Sequence, residues 1–152
     1  QFRDYNITKK EPILEGDTVM YADYMMIEDT LKYDFDEEKN QNYTKMNKEQ
    51  IVKRLATFTS RIWQVHPFGE GNTRTTALFI QKYIMFLGLK DMNNELFKDY
   101  SKYFRNALVR ANYTNITKGI NETDGYLVKF FSNLLYQTDY SLNNDELYIS
   151  NK

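Results

Sequence analysis

Residues 47–87 read NKEQIVKRLATFTSRIWQVHPFGEGNTRTTALFIQKYIMFL, and this stretch predicts two helices joined by a short loop. Asn47 is a good N-cap with Gln50 three residues later, and apolar residues follow at helical spacing as far as Val65. A proline and two glycines then interrupt the pattern, and apolar periodicity resumes over residues 73–87. Because that second helix is apolar on most sides, we expect it to be central.

The rest of the sequence predicts a mainly α fold with one hairpin. Residues 1–24 have no helical period and hold two short apolar runs separated by Glu15-Gly16-Asp17, which is typical of a β-hairpin. Apolar residues at helical spacing predict three further helices, over residues 27–35, 94–113 and 122–136. The polar tail at 138–152 is expected to fray.

Composition limits the class of protein. A chain of 152 residues with 41% hydrophobic residues can bury one core, so we expect a single domain over residues 1–152. A net charge of -1 gives no field that would attract nucleic acid. No apolar run approaches the length of a membrane span. The absence of cysteine excludes disulfides and thiolate metal sites, and makes a cytoplasmic location the default expectation.

The loop between the two helices has the composition of an anion site. The first N–H groups of a helix lack intrahelical acceptors, and the helix dipole adds positive potential there. Gly71 lets the backbone approach a phosphate, Asn72 offers a side-chain amide, and Arg74 offers a forked donor. These residues therefore predict a cradle for a diphosphate.

Two further residues extend this prediction to chemistry. Magnesium prefers one or two carboxylates together with phosphate oxygens, and Glu70 lies beside the cradle. His66 is the only histidine and could accept a proton from an attacking hydroxyl. Taken singly, each residue also fits an ordinary role in a turn or at the surface, but together they favour a nucleotidyl or phosphoryl transfer site.

The loop resembles the motif of Fic domains, which is His-x-Phe-x-Asp/Glu-Gly-Asn-Gly-Arg-x-x-Arg between two helices of a small helical bundle. Here it is His66-Pro-Phe-Gly-Glu70-Gly-Asn-Thr-Arg74-Thr-Thr-Ala77. Six of the eight defined positions agree. Fic proteins also carry a hairpin flap before the motif, and residues 1–24 look like that segment. The family's upstream helices would lie before Gln1.

The resemblance implies transfer of AMP from ATP to a Ser, Thr or Tyr hydroxyl of a target protein. His66 would be the general base, and Glu70 would hold Mg²⁺ between the α- and β-phosphates. The anion hole would be formed by Gly71, Asn72 and Thr73, and Arg74 would hold the outer phosphates. The target would bind along the flap as an added strand.

Two positions depart from the family pattern. Thr73 replaces a glycine where the backbone must stay close to phosphate, which could change the nucleotide pose. Ala77 replaces the second arginine, so a cation expected near the γ-phosphate is missing. The family's inhibitory Ser/Thr-x-x-x-Glu-Gly/Asn pattern does not occur in the sequence.

Three functions therefore remain open. The first is the protein adenylyltransferase just described. The second is a phosphotransferase like the Doc branch, which binds ATP in the reverse orientation, although Glu70-Gly71 matches the AMP-transferring pattern better. The third is a non-enzymatic interaction module with a weakened nucleotide site, which the loss of the second arginine favours.

Overall fold

The protein is described by a computed structural model that covers residues 1–89 and 92–151. Six α-helices span these residues, and the chain shows no β-strand within them. The helices are α1 (Ile27–Lys39), α2 (Lys48–Val65), α3 (Asn72–Phe86), α4 (Glu95–Asp99), α5 (Ser101–Ala111) and α6 (Gly125–Tyr136). None of the described helices is both long and apolar enough to cross a membrane.

The described chain divides into two compact units. The first contains Gln1–Ile7 and Tyr21–Gly88, and the second contains Thr8–Met20 and Leu89–Lys152. The first unit therefore holds helices α1 to α3, and the second holds α4 to α6. The assignment of one domain to residues 1–152 stays a prediction.

In the first unit, α2 packs against both α1 and α3. It begins with the expected capping box, in which the side chains of Asn47 and Gln50 each accept a hydrogen bond from the other's backbone N–H. One face of α2 is buried from Ile51 to Val65. The Phe35 ring of α1 meets Phe58 of α2 edge to face, with ring centroids 5.8 Å apart. Helix α2 is therefore the centre of this unit.

A buried carboxylate joins all three helices of the first unit. Glu38 is 4% exposed. It accepts hydrogen bonds from the hydroxyls of Tyr43 (2.5 Å) and Tyr83 (2.5 Å) and from Nε of Arg54 (2.7 Å). Burial raises the pKa of both tyrosines, and their bonds to Glu38 raise it further. The carboxylate thus has three donors that compensate its loss of water.

Helix α3 is less enclosed than its composition predicts. It buries Ile80 and Ile84, but four of its large apolar residues are exposed. These are Leu78 (55%), Phe79 (37%), Met85 (68%) and Phe86 (83%). The expectation of a central helix is therefore wrong for this face, because apolar content alone does not tell which side meets a neighbour.

In the second unit, α5 packs against α6 around a cluster of phenylalanines. Phe104 of α5 lies 5.0 Å from Phe130 of α6 and 5.1 Å from Phe97 of α4, measured between ring centroids. The predicted helix over residues 94–113 is broken at Tyr100, which has φ -125 and ψ 34. No proline or glycine marks that break in the sequence.

The hairpin predicted for residues 1–24 is wrong. Pro12–Leu14 form a short 3₁₀-helix, and Glu15 follows with φ 56 in the left-handed region. The chain doubles back through bonds from Gly16 N–H to the Glu11 carbonyl and from Glu11 N–H to the Asp17 carbonyl, each 3.0 Å long. Short apolar runs can pack as irregular chain as well as strands, and here a proline at the first helical position favours the 3₁₀ turn.

The tail after residue 137 is more ordered than its polarity predicts. Two 3₁₀-helices, Asn144–Leu147 and Ile149–Asn151, pack in the second unit. Leu147 is 0% exposed, and its carbonyl accepts a hydrogen bond of 2.7 Å from Arg110. The expectation that this tail frays is therefore wrong, because two buried apolar residues, Leu147 and Ile149, anchor it.

Candidate functional site

The loop begins at the end of α2 with an unusual backbone conformation. Helix α2 ends at Val65, and His66 follows as its C-cap with φ 50 and ψ 62. The His66 N–H still donates to the carbonyl of Trp63 at 3.0 Å. Positive φ is uncommon for a residue with a side chain, so neighbouring contacts must hold this conformation.

Arg3 supplies those contacts. Its side chain is almost fully buried, and it donates from Nε to the His66 carbonyl at 2.6 Å and from Nη2 to the Val65 carbonyl at 3.0 Å. It also donates to the carbonyls of Ala22 (2.5 Å) and Tyr5 (2.8 Å). Burial lowers the pKa of the guanidinium, but arginine stays charged at neutral pH. Arg3 therefore satisfies carbonyls that the end of α2 leaves without partners.

The imidazole of His66 is held on two sides. Its Nδ1 lies 2.9 Å from the carbonyl oxygen of Trp63. Because a carbonyl only accepts hydrogen bonds, Nδ1 carries the proton in neutral His66 and Nε2 carries the basic lone pair. The Tyr21 ring stacks on the imidazole with centroids 4.0 Å apart, and the Trp63 ring meets it edge to face at 4.9 Å.

These contacts leave His66 only 1% exposed. A general base must reach the proton that it removes, within hydrogen-bond distance. The tautomer suits a base that acts through Nε2, but the ring is covered in this conformation. Access to the histidine is therefore a separate requirement for chemistry at this site.

The loop that follows is closed by its own hydrogen bonds. The Asn72 side chain accepts from the Phe68 N–H at 3.0 Å and donates to the Phe68 carbonyl at 2.8 Å. Asn72 is buried, so its amide mainly closes the loop, whereas the sequence suggested that it would face an anion. Phe68 packs 5.9 Å from Phe2 between ring centroids and lines an apolar cavity of about 190 Å³.

Helix α3 starts at Asn72 with Gly71 as its N-cap. Gly71 has φ 78, and a Cβ built there would meet no atom within 4 Å, so the position requires glycine for its conformation and not for space. The Thr75 N–H donates to the Gly71 carbonyl at 3.0 Å. The N–H groups of residues 72–74 therefore have no intrahelical acceptor and form the positive end of the helix dipole.

Two charged side chains flank this helix start. Glu70 and Arg74 are both exposed, and neither makes a hydrogen bond or ion pair with another residue in the described part of the chain. Both are therefore open to solvent and to a ligand. Ala77, one turn further along α3, is half-buried.

Thr73 has a partner that the sequence does not suggest. Its hydroxyl oxygen accepts a hydrogen bond of 2.9 Å from the indole N–H of Trp63. Trp63 is 0% exposed, so this bond satisfies a fully buried donor. The β-branched residue in the glycine position of the motif is thus held by a hydrogen bond from α2.

The residues at the start of α3 fit a metal ion that is coordinated mainly by oxygens of a bound phosphate compound. No group of three or more potential protein ligands occurs among the described residues, which argues against an all-protein metal cage there. The helix N–H groups suit a phosphate, and an exposed carboxylate next to a phosphate suits Mg²⁺, because this ion keeps several waters and takes phosphate oxygens with one or two carboxylates. Glu70 is the residue that could supply that carboxylate.

Sequence reasoning found the loop but missed the residues that support it. Three residues from separate places in the chain hold His66 in position: Arg3, Tyr21 and Trp63. No spacing pattern links Arg3 or Tyr21 to the histidine, whereas Trp63 precedes it by about one helical turn. The one available signal was that two of them lie in residues 1–24, where the sequence predicts a flap, although the expected hairpin does not form there.

Comparison with known proteins gives one result. A sequence model of the Fic/DOC family matches residues 1–84, which include α1, α2, the loop and most of α3. No curated protein and no solved structure gives a significant match. The matched part covers every residue of the candidate site.

Proposed function

We propose, from the premise that this chain belongs to the Fic/DOC family, that it is a protein adenylyltransferase. It would transfer AMP from ATP to a Ser, Thr or Tyr hydroxyl of a target protein. The observation that carries the proposal is the state of His66. Its Nδ1 faces a carbonyl, so the basic nitrogen is Nε2, and one short loop later the free N–H groups of α3 begin.

In the proposed reaction, the target hydroxyl attacks the α-phosphorus of ATP. The new bond joins the hydroxyl oxygen to that phosphorus, the bond to the bridging oxygen of the β-phosphate breaks, and pyrophosphate leaves. His66 takes the hydroxyl proton at Nε2, and its Nδ1 proton remains directed to the Trp63 carbonyl. The electrons of the broken bond leave with pyrophosphate.

Charge on the phosphates would be met by the start of α3. The N–H groups of residues 72–74 and the Arg74 guanidinium would donate to phosphate oxygens, and donors fixed in advance are often the largest electrostatic contribution to catalysis. Glu70 would hold Mg²⁺, which supplies further neutralisation of phosphate charge when it is bound. Ala77 offers no cation for the third phosphate.

A second candidate is a non-enzymatic module that binds a nucleotide and an interaction partner. The specific observation in its favour is that His66 is 1% exposed, beneath Tyr21. For the adenylyltransferase, Tyr21 must move or the hydroxyl must approach the edge of the imidazole at Nε2. For a binding module no such access is needed. A Doc-like phosphotransferase is the remaining alternative and concerns the same residues.

One labelling experiment separates these functions. The protein is incubated with Mg²⁺, a cell lysate and ATP labelled at either the α- or the γ-phosphate, and the products are analysed on a denaturing gel. Relative to the same lysate without the protein, the adenylyltransferase predicts additional protein label from α-labelled ATP alone, which disappears in His66→Ala. Additional label from γ-labelled ATP would indicate phosphate transfer instead. If neither label is transferred but calorimetry shows ATP binding, the binding module is supported.

Mass spectrometry of the same lysate identifies the donor. Incubation with mixed nucleotides adds a mass that names both the base and the group transferred. This measurement matters because Thr73 and Ala77 both depart from the motif near the phosphates. A nucleotide adduct other than AMP would keep the nucleotidyl transfer and change the donor substrate.

A further inference from the structure

The buried indole of Trp63 depends on one acceptor. Its N–H donates to the Thr73 hydroxyl at 2.9 Å, and Trp63 is completely buried. A buried donor without a partner is unfavourable, so this bond has a strong influence on where the indole ring lies. Valine has the shape of threonine but cannot accept the bond, and glycine has no side chain at all.

Trp63 in turn makes three contacts with His66. The Trp63 carbonyl accepts from the His66 backbone N–H at 3.0 Å and lies 2.9 Å from His66 Nδ1. The two rings also meet edge to face, with centroids 4.9 Å apart and planes at 88°. The tautomer of the imidazole is therefore set by the Trp63 carbonyl, and its plane is set by the Trp63 ring together with the Tyr21 ring stacked on it.

These contacts form a short path from the start of α3 to the end of α2. Thr73 holds the indole of Trp63, and Trp63 holds the imidazole of His66. The path is separate from the loop itself, which is closed by Asn72 and Phe68. A change in the side chain at position 73 can thus reach the histidine without opening the loop.

We propose that Thr73 is a positioning residue for His66, acting through the indole of Trp63. This inference rests on the proposed function in so far as His66 is the general base. The threonine that stands in place of the motif's glycine then has a structural role, because its hydroxyl fixes the indole ring beside the imidazole of His66. Misplacement of a catalytic group by about 1 Å can lower a rate by about 100-fold.

The chain contains the reporters needed for a test that does not depend on activity. Trp63 and His66 are the only tryptophan and the only histidine, so one indole N–H signal and one set of imidazole signals appear in a proton spectrum. These signals are recorded across pH for the wild type, Thr73→Val and Thr73→Ser. The matched control is Thr75→Val, which removes an exposed hydroxyl from the same helix.

The proposal expects three results from these spectra. In Thr73→Val the indole N–H signal moves upfield, as a lost hydrogen bond requires, and the His66 signals and their titration curve change with it. In Thr73→Ser both reporters stay close to the wild type, because the acceptor is retained. In Thr75→Val both are unchanged. If Thr73→Val fails to fold, Thr73→Gly takes its place in the experiment, because it removes the same acceptor.

The result that would overturn the proposal is equally specific. If the indole signal moves while the His66 signals and titration stay as in the wild type, Thr73 does not position the histidine. The same conclusion follows if Thr73→Ser behaves like Thr73→Val, because the hydroxyl is then not the cause.

Kinetics separate this inference from the proposed function. Once the transfer activity of the wild type is measured, Thr73→Val should lower the rate at saturating ATP by about tenfold to 100-fold, with little change in the KM for ATP. A change in KM alone would assign Thr73 to nucleotide binding and overturn the inference. A wild type that transfers no nucleotide contradicts the proposed function, while the spectra still decide whether Thr73 positions His66.

Discussion

The ring of Tyr21 lies over the imidazole of His66, with centroids 4.0 Å apart and 28° between the two planes. The two rings are stacked, and this contact brings residue 21, from the segment before α1, onto the residue that caps the end of α2. Tyr21 therefore controls how much of the histidine solvent can reach.

The first prediction concerns that cover. Tyr21→Ala should raise the rate at which diethyl pyrocarbonate modifies His66 at least severalfold, because one face of the imidazole loses its neighbour. The reaction is followed by its ultraviolet absorbance, and the single histidine makes the signal unambiguous. Tyr24→Ala, which removes a ring that is 37% exposed, is the control and should leave the rate unchanged. Equal rates in Tyr21→Ala and the wild type would show that the stack does not limit access.

The second prediction concerns Arg3, which donates hydrogen bonds to the carbonyls at the end of α2. Arg3→Ala should lower the free energy of unfolding by about 2–6 kcal/mol, because the carbonyls of Val65 and His66 each lose a buried donor at about 1–3 kcal/mol. Urea denaturation measures the change. Arg61→Ala is the control, because it breaks a largely exposed ion pair with Glu37 that should contribute about 0–1 kcal/mol. Similar losses in the two variants would contradict the assigned role of Arg3.

The third prediction concerns pH and a buried carboxyl group. Asp34 is 6% exposed, and its Oδ2 has no hydrogen-bond partner in the described part of the chain. Burial raises its pKa, Glu37 raises it further, and Arg61 opposes both. The unfolded chain therefore releases this proton at lower pH than the folded protein does. The stability that protonated Asp34 contributes is fully present below the pKa of the unfolded chain, about 3.9. It is lost as pH rises through the pKa of Asp34 in the folded protein.

Asp34→Asn removes the carboxyl group whose ionisation causes this loss of stability. The free energy of unfolding of the variant, relative to the wild type, should increase as pH rises from about 4 and then level off. Asp36→Asn is the control with the opposite sign, because the hydrogen bond from Lys32 lowers the pKa of Asp36. Denaturation at a series of pH values measures both. A difference between Asp34→Asn and the wild type that does not vary with pH would refute the prediction.

The fourth prediction concerns the tail. Leu147→Ala should destabilise the protein by about 2–5 kcal/mol, because it leaves a cavity at a position that is 0% exposed. Ile116→Ala is the matched control: its side chain is 89% exposed, so the change should stay within about 0.5 kcal/mol. Thermal denaturation of the two variants makes the comparison. A tail that frays would give the same small effect for both.

The helices of the first unit were predictable because their signals are local. The expected N-cap at Asn47 and its partner Gln50 are confirmed, and α3 begins within one residue of the predicted start. Apolar spacing also identified α1 and α6. The break at Tyr100 was not predictable, since neither proline nor glycine occurs there.

The candidate site was predictable in its loop and not in its support. His66, Glu70 and Arg74 could be selected because their chemistry and spacing are unusual in one short segment. Arg3 and Tyr21 could not, because each reaches the histidine across more than 40 residues of chain. Long-range contacts of single side chains leave no periodic trace in a sequence.

The pair of hydrogen bonds between Asn72 and the backbone of Phe68 has a thermodynamic consequence. A loop that becomes ordered only when a ligand arrives gives up chain entropy at that moment, and the affinity falls accordingly. Here the segment is already fixed in the folded protein. Association of an anion with the start of α3 should therefore show little unfavourable entropy from ordering of this segment.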